Sequence, residues 1–149
     1  MSAYDDLTAF KLYAVDTGLL RRLAHLDPIA FNEGIRLFTE FKSALAENFI
    51  LQGLADKYEA IPRYWTSGGQ AEVDFIIQRG NDIIPIEVKA EQNINSRSLT
   101  LYRQKYQAET KIRLRFSLRN LKQDGNLLNI PLFMIDYVDK LIELGLKNS

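Results

Sequence analysis

The sequence predicts a single α/β domain over residues 1–149, a mixed central sheet flanked by helices. Three observations point there. A long helical pattern runs from about Phe31 to Tyr58. Period-two alternation, the signature of half-buried strands, appears at Ala71–Gln78, Ile83–Ala90 and Lys111–Ser117. A helical stretch, Ser96–Tyr106, lies between the second and third of these strands, long enough for a crossover that makes them parallel.

The elements follow in chain order. Lys11–Leu23 (KLYAVDTGLLRRL) begins as a short apolar run and continues as a brief helix, interrupted at Pro28. The long helix comes next and Pro62 closes it. Arg63–Trp65 reads as a strand, followed by the flexible turn Ser67-Gly68-Gly69. Arg79-Gly80-Asn81-Asp82 is a hairpin turn, so the strands between 63 and 90 form an antiparallel meander. Pro85 within Ile83–Ala90 has no N–H for the ladder and predicts an edge position or a bulge. Ser96 is the expected N-cap of the crossover helix. Leu127–Ile135 reads as a last strand and Asp136–Leu146 as a terminal helix.

Composition narrows the function. The chain has 149 residues, 46% of them hydrophobic, enough to bury a core. It has 19 basic and 19 acidic side chains, whereas strong free-standing nucleic-acid binders carry a basic excess. The absence of cysteine removes disulfides, thiolate zinc sites and cysteine nucleophiles, and suits a reducing cytoplasm. No apolar run approaches the roughly 20 residues of a membrane span, and no signal peptide is visible, so a cytoplasmic protein without membrane partners is expected.

Three acids stand out by position. Side chains alternate faces along a strand. At 83–90, Ile84, Ile86 and Val88 take one face, and Glu87 and Lys89 the other. At 71–78, Val73, Phe75 and Ile77 are expected on one face, and Glu72 and Asp74 on the other. Pairing through the turn at 79–82 then brings Asp74 and Glu87 together beside Lys89. On the long helix, a 100° advance per residue places Phe38, Phe41, Leu45 and Phe49 in the expected core stripe. Glu47 sits in a second apolar arc with Ala44, Ile50, Leu51 and Leu54, where a carboxylate needs a cation, hydrogen-bond donors or a metal. Such a set suits Mg²⁺ or Mn²⁺, which takes oxygen ligands from one or two carboxylates, waters and phosphate. The bound ion acidifies water and stabilises charge on a phosphate, and a nearby lysine orients that water.

Asp74 followed thirteen positions later by Glu87-Val88-Lys89 resembles the D-x(n)-E-x-K signature of PD-(D/E)XK nucleases. Glu47 matches the acid their first helix often supplies. The stretches KLYAVDTGLL (11–20), ALAENFILQGL (44–54), YWTSGGQAEVDFII (64–77), IIPIEVKA (83–90) and SLTLYRQKY (98–106) together resemble a C-terminal domain of unknown function found in prokaryotic AAA+-like ATPases and related to those nucleases. The resemblance covers most of the chain. It implies a restriction-endonuclease-like fold and catalytic residues Glu47, Asp74, Glu87 and Lys89. The metal ligands would be Asp74, Glu87 and Glu47. It also implies DNA as substrate and the parent's N-terminal ATPase as partner. No G-x-x-x-x-G-K-[ST] loop occurs here, so a C-terminal piece is expected, with residues 1–30 as a junction to a preceding winged-helix-like region. One departure is that Val73, not proline, precedes Asp74.

Plainer readings stand beside these. Glu87 and Lys89 also suit an ordinary ion pair, and Glu47 could pair with an arginine such as Arg63. His25, the sole histidine, has no serine motif to join and reads as structural or exposed. Lys111, Arg113 and Arg115, followed by Arg119 and Lys122, suit either a solvated face or contacts to a phosphate backbone. Tyr102, Tyr106 and Trp65 read as core packing. Two functions compete: a metal-dependent nuclease-like domain, and a catalytically inactive nuclease fold serving as a DNA-binding or protein-interaction module.

Overall fold

The computed structural model describes residues 8–24, 36–58, 62–69, 71–90 and 97–147. His25, Pro28 and Ser96 lie outside these, as do residues 31–35 of the expected long helix. Chain order within them is α1 (Thr17–Leu23), α2 (Arg36–Lys57), β1 (Arg63–Thr66), β2 (Glu72–Arg79), β3 (Asp82–Lys89), α3 (Arg97–Lys105), β4 (Arg113–Ser117), β5 (Lys122–Asp124), β6 (Leu127–Pro131), a 3-10 helix (Leu132–Tyr137) and α4 (Val138–Lys147). The sheet is mixed and open, in the order β1-β2-β3-β4-β6-β5. β1, β2 and β3 form the expected antiparallel meander, and α3 makes β3 and β4 parallel. Among the described residues, no helix is long and apolar enough to cross a membrane.

Helices cover both faces. The main core joins Ala46, Ile50 and Leu54 of α2 and Val138, Leu141 and Ile142 of α4 to the strand residues Phe75, Ile77, Ile84, Ile86, Val88, Leu114, Phe116 and Ile130. A smaller cluster on the other face joins Leu99 and Tyr102 of α3 to Val73 and Ile76. Trp65, Tyr102 and Tyr106 meet there edge-on or tilted, at centroid distances of 4.8–6.3 Å, so these aromatics are core packing. Gly53 lets the 3-10 helix lie close on α2, because a Cβ there would collide with the Ile135 side chain. Arg79 reaches from β2 to Asp139 and Glu143 and fastens the α4 side of the sheet.

Several sequence expectations are corrected. The stripe of α2 that meets the sheet is Ala46–Ile50–Leu54, with Phe49 left 40% exposed. The helix therefore buries Ile50 and Leu54 from the arc that contains Glu47, while Phe49 of the aromatic stripe is exposed. Pro85 lies in the interior strand β3, where the ladder to β2 runs without a bulge. Its missing donor faces β4, as does the Ile83 N–H, which reaches Glu109 O at 3.3 Å. The β3–β4 pairing starts only at Ile86↔Leu114, so no ladder bond is lost. β5 was not expected. It is three residues long and returns to β6 through a turn in which Gly125 has φ 56°. Finally, β6 stops at Pro131, and residues 132–135, expected as strand, form the 3-10 helix.

The bulge is elsewhere. Trp65 pairs with Val73, and Arg63 pairs with Ile76. Between those pairs Tyr64 alone opposes Asp74 and Phe75. The extra residue breaks the alternation, so Val73 packs on the α3 face while Phe75 and Ile77 pack on the α2 face. Val73 and Phe75, expected on the same side, are on opposite sides.

Candidate functional site

Asp74 occupies the bulge. The β2–β3 ladder ends at Phe75↔Ile86, one step short of Asp74 and Glu87. There the Val88 N–H donates to the Asp74 carboxylate at 2.7 Å instead of to a strand carbonyl. This bond seats Asp74 against the middle residue of Glu87-Val88-Lys89. Bulges commonly re-aim a side chain in this way. Burial raises the Asp74 carboxyl above its ordinary value and Glu72 adds to the rise, while the Val88 N–H, Lys11 and Lys89 oppose it.

Glu47 reaches the same region from α2. Its partners are the Lys11 ammonium at 3.9 Å and the Tyr13 hydroxyl, which donates at 3.4 Å. Its carboxyl is also raised, first by burial and then by the charge of Asp74, while Lys11 opposes the shift. Lys11 also pairs with Glu72 and lies 5.3 Å from the Tyr64 ring centroid. The segment carrying Lys11 is held to α2 by Ala14 N–H donating to Asn48 Oδ1 at 2.8 Å and by Gln52 donating to Val15 O.

Glu87 lies on the other face of β3. Ile84, Ile86 and Val88 enter the main core, so Glu87 and Lys89 alternate toward α3. Glu87 is only 2% exposed. Lys89 stands 3.4 Å from it, and its register partner on β4 is Arg115, whose charge Glu87 favours. Lys89 also acts on Asp74, and so links the two groups of acids.

The basic row divides. Lys111 precedes β4 and pairs with Asp82 at 2.6 Å. The Arg113 guanidinium donates to Asn126 Oδ1 at 3.1 and 2.8 Å and to Thr100 Oγ1 at 3.4 Å. Arg115 Nε donates to Asn129 Oδ1 at 3.0 Å. Among the described residues no three histidine, cysteine or acidic side chains converge as a metal-ligand group. A divalent ion such as Mg²⁺ needs only one or two carboxylates, with water and phosphate oxygens completing its shell. Asp74 with Glu47 or Glu87 supplies that number and that oxygen chemistry.

The family model described as "Domain of unknown function (DUF4143)" matches residues 42–133. The chain belongs to that family. Comparison with curated proteins and with solved structures gives no match. The DUF4143 match spans Glu47, Asp74, Glu87, Lys89, Arg113 and Arg115, and leaves Lys11 and Tyr13 outside it.

Those last two are the site residues that sequence reasoning missed in this DUF4143 chain. A signal was present. Phe10 and Leu12 are 75% and 87% exposed, whereas Lys11 and Tyr13 are partly buried, the alternation of an extended segment laid on a surface. The segment is too short for that pattern to stand out in sequence. Asn126 and Asn129, which seat the two arginines, carried no signal, because their partners lie 13 and 14 positions away.

Proposed function

We propose that this domain is a metal-dependent, nuclease-like module of the PD-(D/E)XK kind, acting on DNA and belonging to the C-terminal part of an AAA+-like ATPase. Asp74 would hold Mg²⁺ or Mn²⁺ with Glu47 on the α2 side of the sheet; Glu87, the second ligand expected from the sequence, faces the α3 side. The bound ion would supply a nucleophilic water and neutralise charge on the attacked phosphate. The chain's own residues prepare the place. The Val88 N–H fixes the Asp74 carboxylate, and Lys89 carries a fixed positive charge to the edge of the site, where it would orient a water and balance charge on phosphate oxygens. Tyr13 and Lys11 hold Glu47 in place from the other side.

The observation that carries this reading is the Asp74–Val88 bond. It brings the aspartate of one strand against the backbone of the Glu-x-Lys segment of the next, which supports the D…E-x-K likeness. The restriction-endonuclease-like fold is supported by the helix–meander–helix–parallel-strand order and by the mixed sheet. One observation favours the second reading, an inactive nuclease fold used for binding. Lys11 already pairs with Glu47 and Glu72, and Glu87 faces the opposite side of the sheet from the main core.

The deciding experiment incubates the chelator-treated chain with plasmid and with single-stranded DNA, with and without Mn²⁺, beside Lys89→Ala. The proposal expects Mn²⁺-dependent cleavage that disappears in Lys89→Ala while the fold persists. No cleavage of either substrate by the parent chain, or equal cleavage by the variant, overturns the catalytic reading.

A further inference from the structure

The α3 face of the sheet gathers guanidinium groups that nothing in the metal chemistry uses. Arg113 and Arg115 are two positions apart on β4, roughly 6.6 Å along the strand. This is close to the separation of consecutive phosphates on a nucleic-acid strand. Both point away from the main core, because Leu114 and Phe116 point into it. Their seats are built from amides. Asn126 Oδ1 receives two Arg113 bonds, and Asn129 Oδ1 receives Arg115 Nε. Asn129 is 4% exposed and is itself locked by Ser117 Oγ at 2.8 Å and by the carbonyls of Asn120 and Arg119 at 2.9 and 3.4 Å. The amide anchor of Arg113 orients the guanidinium without cancelling its charge, which a carboxylate anchor would do, whereas Arg115 also faces the Glu87 carboxylate. Among the described residues, Nδ2 of Asn126 is also buried without an acceptor, a further donor beside Arg113.

Two more arginines add their charge to this pair. Arg103 of α3 and Arg115 both repel Arg113, and Arg119 repels Arg115; burial and this crowding lower the Arg113 and Arg115 values. Glu87 and Asp124 offset part of the charge at Arg115. Like charges held at close range by purpose-built seats favour an anion with several charges in a row.

We propose that Arg103, Arg113, Arg115 and Arg119 form a backbone-binding site that receives successive phosphodiesters of a nucleic-acid strand on the α3 face, beside Glu87 and Lys89. The choice of ligand rests on the nuclease-like reading; the site itself rests on the arginine geometry. Binding supplied by phosphate contacts is indifferent to base sequence and falls steeply with salt. The balanced net charge of the chain does not preclude it, because Arg113 and Arg115 stand side by side on this face whatever the sum over the chain.

The test is fluorescence anisotropy of a labelled single strand and its duplex against the full chain in EDTA, so that neither metal nor cleavage enters. Arg103→Gln comes first, since Arg103 is exposed and its loss leaves the core intact. Arg113→Gln and Arg115→Gln follow, with unfolding midpoints measured in parallel. Lys140→Gln, on α4 at the opposite face, removes the same charge as a control. The site predicts about a 5-fold weaker Kd for each arginine variant and a salt slope shallower by about 1 each, with Lys140→Gln within about twofold of the parent. Absence of binding by the parent, unchanged binding in Arg103→Gln, or an equal loss in Lys140→Gln overturns it. So does full competition by inorganic phosphate at constant ionic strength, or equal capture by anionic lipid vesicles, since neither ligand has a nucleic-acid strand. Binding is read without metal. Failure here therefore leaves the metal-dependent reading standing, and failure of cleavage leaves this site standing.

Discussion

The two faces of β3 carry opposite electrostatic designs. On the α2 side, Glu47, Asp74 and Glu72 share Lys11, and burial with mutual repulsion raises the carboxyls of Glu47 and Asp74. On the α3 side, one buried carboxylate, Glu87, stands among Lys89 and Arg115 with Arg113 beyond, and the two arginines are lowered. The first side is short of positive charge and the second is short of negative charge. A divalent cation would relieve the first and a phosphate backbone the second. Asp74 and Lys89 sit at the seam, where the two would meet.

The largest expected effect comes from removing the one buried acid described on the basic side. Glu87→Ala should cost roughly 3 kcal/mol, the low end for breaking a buried pair, because Lys89 keeps access to water. Chemical denaturation measures it. A loss below about 0.5 kcal/mol would mean that Glu87 is not holding the basic side together.

Next is the response of the acidic side to metal. Mg²⁺ or Mn²⁺ at a hundredfold excess over Kd should stabilise the parent by about 2.7 kcal/mol. Asp74→Asn, which can still accept the Val88 N–H, should abolish that gain. Melting curves with ion and with chelator test this. An equal shift in parent and variant would show that the ion binds elsewhere.

The same side should respond to pH in metal-free buffer. Above its raised value each of Glu47 and Asp74 is charged in the folded protein, and the native state bears the cost of burial and repulsion. The folded form binds protons more readily than the unfolded form, so stability rises as pH falls through the folded value toward the ordinary carboxylate range. The midpoint of the parent relative to Glu47→Gln/Asp74→Asn should therefore improve between about pH 7 and about pH 5. A difference independent of pH would remove the repulsion from the account.

The smallest effect belongs to Tyr13→Phe. Its bond to Glu47 is 3.4 Å long, near the limit of a hydrogen bond, and its ring contact with Phe75 at 5.8 Å survives the change. A loss of about 0.5 kcal/mol is expected by denaturation. A loss above about 2 kcal/mol would make this hydroxyl a principal support of Glu47 and would narrow the gap between the two faces.

Much of this was legible in the chain. The meander, the crossover helix and the parallel β4 follow from alternation and from lengths that leave few alternatives. Glu47 in an apolar arc and Glu87 with Lys89 on one strand face follow from periodicity alone. The errors share a cause. Which apolar arc of α2 meets the sheet depends on what the sheet offers, and Phe49 lost that competition to Ile50 and Leu54. The end of β6 depends on Pro131 and on the space that Gly53 leaves for Ile135. The bulge depends on a comparison between β1 and β2, and neither strand shows it alone.

The sequence by itself determined the order of the elements from α2 to β4, the alternating strand faces of β3 and β4 and the chemical identities at the site, because these depend on neighbours one to four positions apart. Only the tertiary structure decided that Asp74 sits in a bulge bonded to Val88, that Lys11 lies among the acids, and that asparagines seat the arginines. Each of those joins residues that are 13 or more positions apart. Contacts at that range are selected by packing of the whole domain, where an unpartnered buried charge or amide is costly and the chain settles so that it has a partner.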